Sequence, residues 1–255
     1  MSTTTANITA VIAKLNEILQ TNQQQFERYL EEYFTFKGHG RDGSFFEILG
    51  GRGDEGESKN YFTFADLYAI TCLSVKVPPQ SGLKVVDGDL FEESSRLLAK
   101  LPTNQQLFFP YWQRYGKSID ELFQLLKGLP GVDWVTASKM ISRKRPRLVA
   151  ILDNVVFDAL NLPDAAFDDW EILSIICYDS NIRQLLTQMS RDVQNKNQGN
   201  LNVTRMAGLP IWRILDICVW EEHRKHSAYY ATSKKNRVET VAKQEADGCL
   251  FLPIR

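Results

Sequence analysis

The residues best suited to chemistry lie between positions 126 and 160, LKGLPGVDWVTASKMISRKRPRLVAILDNVVFDAL. Leu129 and Val132 are apolar anchors around Pro130-Gly131, and a second segment with Thr136, Ala137, Met140 and Ile141 on its packed side follows at once. This pattern predicts a hairpin between two helices. Gly131 can adopt a positive φ and lets backbone approach a ligand closely, while the first amides of the second helix point outward, so a phosphate fits there. Taken alone, L-P-G-V is equally well a tight helix–helix turn. Lys139, Arg143, Lys144, Arg145 and Arg147 then place five cations within nine residues with no acid among them. A basic run is usually a solvated face; beside a phosphate-ready hairpin it reads as a DNA footprint. Asp153 follows the apolar run Leu148-Val149-Ala150-Ile151-Leu152 and opens a helix expected over 154–160, where the helix dipole favours its ionised form. It is either an ordinary N-cap or a carboxylate available for chemistry.

The elements that must position these residues are helical. Apolar positions recur at helical spacing from Ile8 to Leu19 and onward through the polar TNQQQ stretch to Leu30, and a buried helix is expected over 64–74, ended by Pro78-Pro79. Further helices are expected over 91–101, 105–115, 119–126, 134–141, 154–160, 170–177, 182–193 and 211–223. Between 36 and 59 the chain is glycine-rich, with one short apolar run, Phe45 to Leu49, readable as a strand or a buried turn. The fold class is mainly α, with a short irregular or β segment near 34–62. The tail beyond 228 is polar until Cys249-Leu250-Phe251-Leu252-Pro253, which is expected to pack back on the body.

Composition narrows the classes. A 255-residue chain with 44% hydrophobic and 24% charged residues folds as an ordinary globular protein. Its net charge of −1 means that nucleic-acid binding must come from local clustering, and it counts mildly against a DNA protein. Cys72, Cys177, Cys218 and Cys249 lie too far apart for a metal knuckle or a compact disulfide framework and read as reduced thiols. His39, His223 and His226 have no partners at metal or triad spacing, so no metal is expected. Residues 1–20 lack a signal-peptide pattern and no apolar run has membrane-spanning length, which together predict a cytoplasmic protein without a membrane. No obligate protein partner is evident.

With these residues in hand, the chain resembles the helix-hairpin-helix DNA glycosylase superfamily, whose signature is an L-P-G-V-G-x-x-T-A hairpin followed by an apolar V-D at the next helix. The matching positions are Leu129 to Ala137 and Ile151-Leu152-Asp153, with Leu129 and Asp153 24 residues apart. Asp66 to Ser74 is similar to the family's E-L-L-I-A-x-x-L-S helix. The resemblance covers about a third of the chain and identifies no branch. It implies one unit of two interleaved helical lobes: a central lobe over 60–160, with the hairpin at about 122–142, and a second lobe with tail from 1–59 and 161–255. It also implies that Leu129, Gly131, Val132, Thr136, Lys139, Arg143, Lys144 and Arg145 contact DNA and that Asp153 is catalytic. The expected partner is double-stranded DNA holding a modified base, from damage or from hypermodified phage DNA, the latter making the protein an antiviral one.

The chemistry explains the carboxylate. Breaking a base–sugar bond develops positive charge on the sugar, which a nearby carboxylate stabilises while activating water. The base must first be extruded into a pocket. Lys76, Tyr68, Trp134 and Trp112 are the candidates for that pocket or for the wedge filling the gap. Tyr115 is a further aromatic candidate. Lys76 stands where the family often has a wedge glutamine, and Val155 replaces the usual histidine. Val135 occupies the position of the lysine of bifunctional members, so excision without strand cleavage is expected. The cysteine cluster of some branches is absent, and no cofactor is expected, although the resemblance allows a monovalent cation on hairpin carbonyls. Arg213 and Asp216, spaced i, i+3 in an apolar helix, are read as a structural ion pair, with a pocket role second. The competing readings are a non-catalytic helix-hairpin-helix DNA-binding protein and a helical scaffold.

Overall fold

The computed structural model describes residues 3–160 and 168–233; side chains at 3–7, 157–158, 168 and 226–233 are excluded. The C-terminal run from Cys249 to Pro253, with its expected return to the body, lies outside the described residues. Among the described residues the fold is all helix and turn, without strands. The 36–62 segment is irregular rather than β: short 3-10 turns over Phe36–Gly38, Asp42–Phe45 and Glu57–Asn60 separate glycines at positive φ.

The chain begins with α1 (Thr3–Thr21) and α2 (Gln23–Thr35), broken at Asn22 rather than continuous through the glutamines. α3 (Phe64–Ala69) starts at a capping box, in which Thr63 Oγ1 accepts from Asp66 N and Asp66 Oδ2 accepts from Thr63 N. It tightens into a 3-10 turn, Ile70–Leu73, that ends at Ser74 in the left-handed region, φ 61. Pro78-Pro79 was expected only as a stop. Pro79 is instead the first residue of α4 (Pro79–Val86), because proline is suited to a helix start as well as fatal to an interior. α5 (Phe91–Ala99) follows. The segments expected at 105–115 and 119–126 are one helix, α6 (Phe109–Lys127). Gly116 passes through its middle because a Cβ there would sit 3.0 Å from the Trp112 ring.

Then come α7 (Trp134–Lys144), α8 (Asn154–Leu160), α9 (Asp168–Tyr178), α10 (Ser180–Lys196) and α11 (Ile211–Ser233). Helices α3 to α7 pack in succession, α6 lying along α7 and against α5. Around them, α2 packs on α10 and α11, and α1 on α10. The two groups meet where α6 packs on α9; within them, α3 packs on α7 and α8 lies on α11. Trp170 is fully buried at that junction, 5.0 Å edge-on from Phe123 and donating Nε1–H to the Ala150 carbonyl. No helix among the described residues is long and apolar enough to cross a membrane.

Candidate functional site

The hairpin forms as its sequence predicts. Leu129 and Val132 are buried, Val132 N donates to the Leu129 carbonyl, and Gly131 is exposed at φ 73. It is also pinned from outside: Ser81 Oγ donates to the Pro130 carbonyl over 2.7 Å, and a Cβ at position 131 would meet Pro78 Cγ at 2.7 Å. The segment carrying Ser74, Lys76 and Pro78 therefore lies beside the hairpin. The Leu129 and Pro130 carbonyls, where a cation would sit, accept these two bonds.

Two expectations about the phosphate grip are corrected. Asp133 caps α7, accepting from Thr136 N at 2.7 Å, so the α7 amides already hold a carboxylate where a phosphate was expected; Thr136 is itself buried. The basic run, moreover, points inward. Lys139, Arg143, Lys144 and Arg145 are all buried. Arg143 donates to Asp66 Oδ1 and to the carbonyls of Phe46, Leu49 and Gly51, and Lys144 donates to Asp66 Oδ2 and the Ser58 carbonyl. Arg145 donates to the carbonyls of Leu98, Leu101 and Lys59 and to Asn60 Oδ1. The glycine-rich segment has no ladder for its carbonyls, and buried carbonyls must be paired. These cations pair them. Burial lowers the Lys144 ammonium from its usual range, with Asp66 opposing.

Asp153 sits where α7 and the chain leading into α8 meet. Ser138 Oγ, on α7, accepts from Leu152 N at 3.1 Å and so fixes the residue before it. Asp153 Oδ1 accepts from Val155 N at 3.0 Å, and Oδ2 accepts from Lys139 Nζ at 3.2 Å. Lys139 Nζ also donates to the Leu73 carbonyl at 3.0 Å, directly before the left-handed Ser74. The Asp153 side chain remains 24% exposed and faces a cavity of about 460 Å³. One wall carries Ser74, Lys139 and Asp153; the other carries Tyr33 from α2 and Arg213, Asp216 and Trp220 from α11. Such a volume suits a small-molecule-sized group.

The far wall is a buried ion network. Arg213 donates from Nε to Glu47 at 2.7 Å, from Nη1 to Asp216 Oδ2, and from Nη2 to Tyr33 Oη and the Gly43 carbonyl. The i, i+3 ion pair expected of Arg213 and Asp216 is present, and both residues also line the cavity. Burial raises the Asp216 carboxyl above the usual range; Arg213 opposes this, and Asp153 adds to it.

Residues 26–223 match a family described as a family of unknown function, DUF6308. The chain belongs to this family. No curated protein and no solved structure matches it. The span matched to DUF6308 contains the whole cavity wall from Tyr33 to Trp220, as well as the hairpin and Asp153.

In this DUF6308 chain the expected pocket aromatics fall elsewhere. Trp112 is a core residue 6.2 Å from Trp170, because α6 turns it inward beside Gly116. Tyr68 is 66% exposed on α3, away from the cavity lining, and Trp134 is half-buried against the core. Lys76 is exposed beside the mouth, two residues beyond Ser74, without lining the cavity. Tyr33, Cys72, Ser74 and Trp220 line it without having been singled out. For them the sequence holds no signal beyond residue type, whereas Arg213 and Asp216 announced themselves as charges in an apolar helix.

Proposed function

We propose that the protein is a monofunctional DNA glycosylase that hydrolyses the bond between a flipped modified base and its sugar, leaving an abasic site. The observation that carries this reading is Asp153, held by Val155 N–H and Lys139 at the edge of a cavity large enough for a base, with the exposed hairpin and the Ser74–Pro78 segment alongside. In this reading the helix groups α3 to α7 and α1, α2 and α8 to α11 are the two lobes, and the cavity lies between them. Asp153 stabilises the sugar's developing positive charge and accepts a proton from the attacking water. Val135 offers no amine, so no covalent intermediate forms at that position. The chemistry calls for no cofactor, and a monovalent cation on the hairpin carbonyls belongs to the same reading. Cytoplasmic location and action on modified phage DNA or on damage belong to the same proposal.

DNA is gripped in this reading by the hairpin backbone and the exposed Lys76 and Lys127 rather than by the buried cations. The test uses duplexes carrying glucosylated hydroxymethylcytosine, oxidised guanine, uracil or an N-methylated purine, with alkali to reveal abasic sites. Wild type is expected to release at least one base and Asp153→Asn at least about 100-fold less. No release from any duplex, or full activity in Asp153→Asn, overturns the assignment.

One observation favours a second reading. Lys139 neutralises Asp153, as it would if the pair only fastened α7 to the Leu73 turn of a non-catalytic DNA-binding protein. In that case Asp153→Asn binds duplex DNA like wild type, and no protein variant releases a base.

A further inference from the structure

The cavity brings two carboxyl groups from distant parts of the chain to one space, in unlike surroundings. Asp153 has an ammonium and a backbone N–H donating to it. Asp216 has only Arg213, and Arg213 is shared with Glu47 and Tyr33. Counting the groups that face one another here, Lys139 and Arg213 stand against Glu47, Asp153 and Asp216, two cations for three carboxyls. Arg41, also on the cavity, is committed to Glu221 and Glu32, and Asp42 at the rim adds negative charge only. Cys72 and Tyr33 face the same space as neutral groups. Arg213 is thus shared by two buried carboxyls, and of these Asp216 is the one that lines the cavity. Asp216 is 7% exposed, its Oδ2 is taken by Arg213, and its other oxygen is left to the cavity.

We propose that Asp216 carries a proton in the resting protein and delivers it to the departing base, as the acid partner of the Asp153 base. The assignment rests on the base-excision reading above. Burial raises the Asp216 carboxyl, Arg213 and Lys139 oppose this and the Asp153 charge adds to it, the balance being upward, which agrees with the geometry. Two carboxyl groups pushed apart by their environments are the usual basis of an acid–base division of labour. As the sugar–nitrogen bond breaks, its electron pair goes to the base, and the Asp216 proton neutralises the charge that develops there. Water adds its oxygen to the sugar carbon and gives its proton to Asp153. Proton exchange with solvent then restores both groups. The substrates this arrangement serves are neutral bases, which leave poorly as anions; a base that already carries positive charge needs the proton far less.

Two measurements on the full chain test the assignment. The first needs no substrate: carboxyl-carbon NMR of protein labelled at aspartate, with signals assigned through Asp216→Asn and Asp153→Asn. The Asp216 carbon is expected to keep the position of the neutral acid above about pH 5, where free aspartates are ionised, and Asp153→Asn should move its midpoint down. An Asp216 ionised throughout overturns the proposal, whether or not any base is released. The second compares Asp216→Asn with wild type on the neutral-base duplexes above and on the N-methylated, cationic purine. About a 100-fold loss in kcat is expected on the neutral base, at least tenfold less on the cationic one, with Asp216→Glu recovering part of it. Equal losses on both overturn the acid role while base excision stands.

Discussion

Lys139 Nζ joins two parts of the site, lying 3.2 Å from Asp153 Oδ2 and 3.0 Å from the carbonyl of Leu73. It is buried, whereas Asp153 is partly open to the cavity. Removing the ammonium exposes neither partner to an equal loss. Lys139→Met leaves a carboxylate in a half-dry site and an unpaired carbonyl, and is expected to destabilise the fold by about 2 kcal/mol. A double-mutant cycle with Asp153→Asn in urea unfolding measures the coupling. A coupling energy near zero would mean that the pair holds nothing.

The buried cations carry the second prediction. Arg145 donates to four carbonyls and an amide oxygen drawn from five separate positions, so Arg145→Met leaves several buried acceptors unpaired and is expected to cost about 3 kcal/mol or more. Arg143→Gln should likewise lower the unfolding midpoint while leaving the salt dependence of duplex binding as in wild type, because Arg143 does not reach a phosphate. Lys76→Gln and Lys127→Gln are expected to do the opposite. A shallower salt slope in Arg143→Gln would place that residue on DNA after all.

These contrasts show what the sequence could and could not reveal. The hairpin was legible because Leu129, Pro130, Gly131 and Val132 act locally: anchor, stop, turn and anchor are properties of adjacent residues. The inward course of Arg143, Lys144 and Arg145 was not, because it depends on carbonyls between positions 46 and 101 that need donors, and a carbonyl leaves no mark on residue type. A solvated basic face and a buried staple therefore have the same letters. The capping role of Asp133 was readable in principle as an acid directly before a helix, but the neighbouring Gly131 drew the reading toward phosphate. Across the cavity, Tyr33 and Trp220 meet Asp153 only through the packing of α2 and α11, which no spacing encodes. The helix at Pro79 was hidden for a different reason, since proline punctuates both ends of helices.

Asp133 separates capping from binding. Its side chain satisfies Thr136 N, so Asp133→Ala should cost about 1 kcal/mol of stability, whereas Asp133→Asn keeps an acceptor and should cost less. Both remove a negative charge from the exposed hairpin and are expected to tighten duplex binding several-fold at low salt. Fluorescence anisotropy with a labelled duplex reads this directly. If Asp133→Asn binds more weakly, the hairpin is not a phosphate-facing surface.

Gly131 has a conformational and a steric demand at once. Its φ of 73 strains any residue with a Cβ, and that Cβ would meet Pro78 Cγ at 2.7 Å. Gly131→Ala is expected to lose about 1 to 2 kcal/mol and to displace the segment from Ser74 to Pro78, which borders the cavity. Thermal unfolding and amide exchange at 74–78 check the two effects separately. Unchanged exchange there would mean that the hairpin and cavity mouth are not mechanically joined.

Alkaline pH should destabilise the protein through groups that keep their protons when folded. Burial pushes the Cys177 thiol up to about 12 and raises Cys218 and Tyr33 well above their ordinary values. In the unfolded chain the thiols lose their protons near pH ~8.5 and the phenol near ~10. The folded state then binds more protons than the unfolded one, so its advantage is complete below about pH 8 and is lost as pH rises. Each fully engaged thiol contributes a slope of about 1.4 kcal/mol per pH unit. Urea unfolding at intervals from neutral to about pH 11 should therefore give a steadily falling stability, and Cys177→Ser should flatten the slope between the thiol and phenol ranges. A stability that stays level through that interval would mean both thiols titrate in the folded protein as they do in water, and the packing of α9 and α11 around them would have to be looser than their burial indicates.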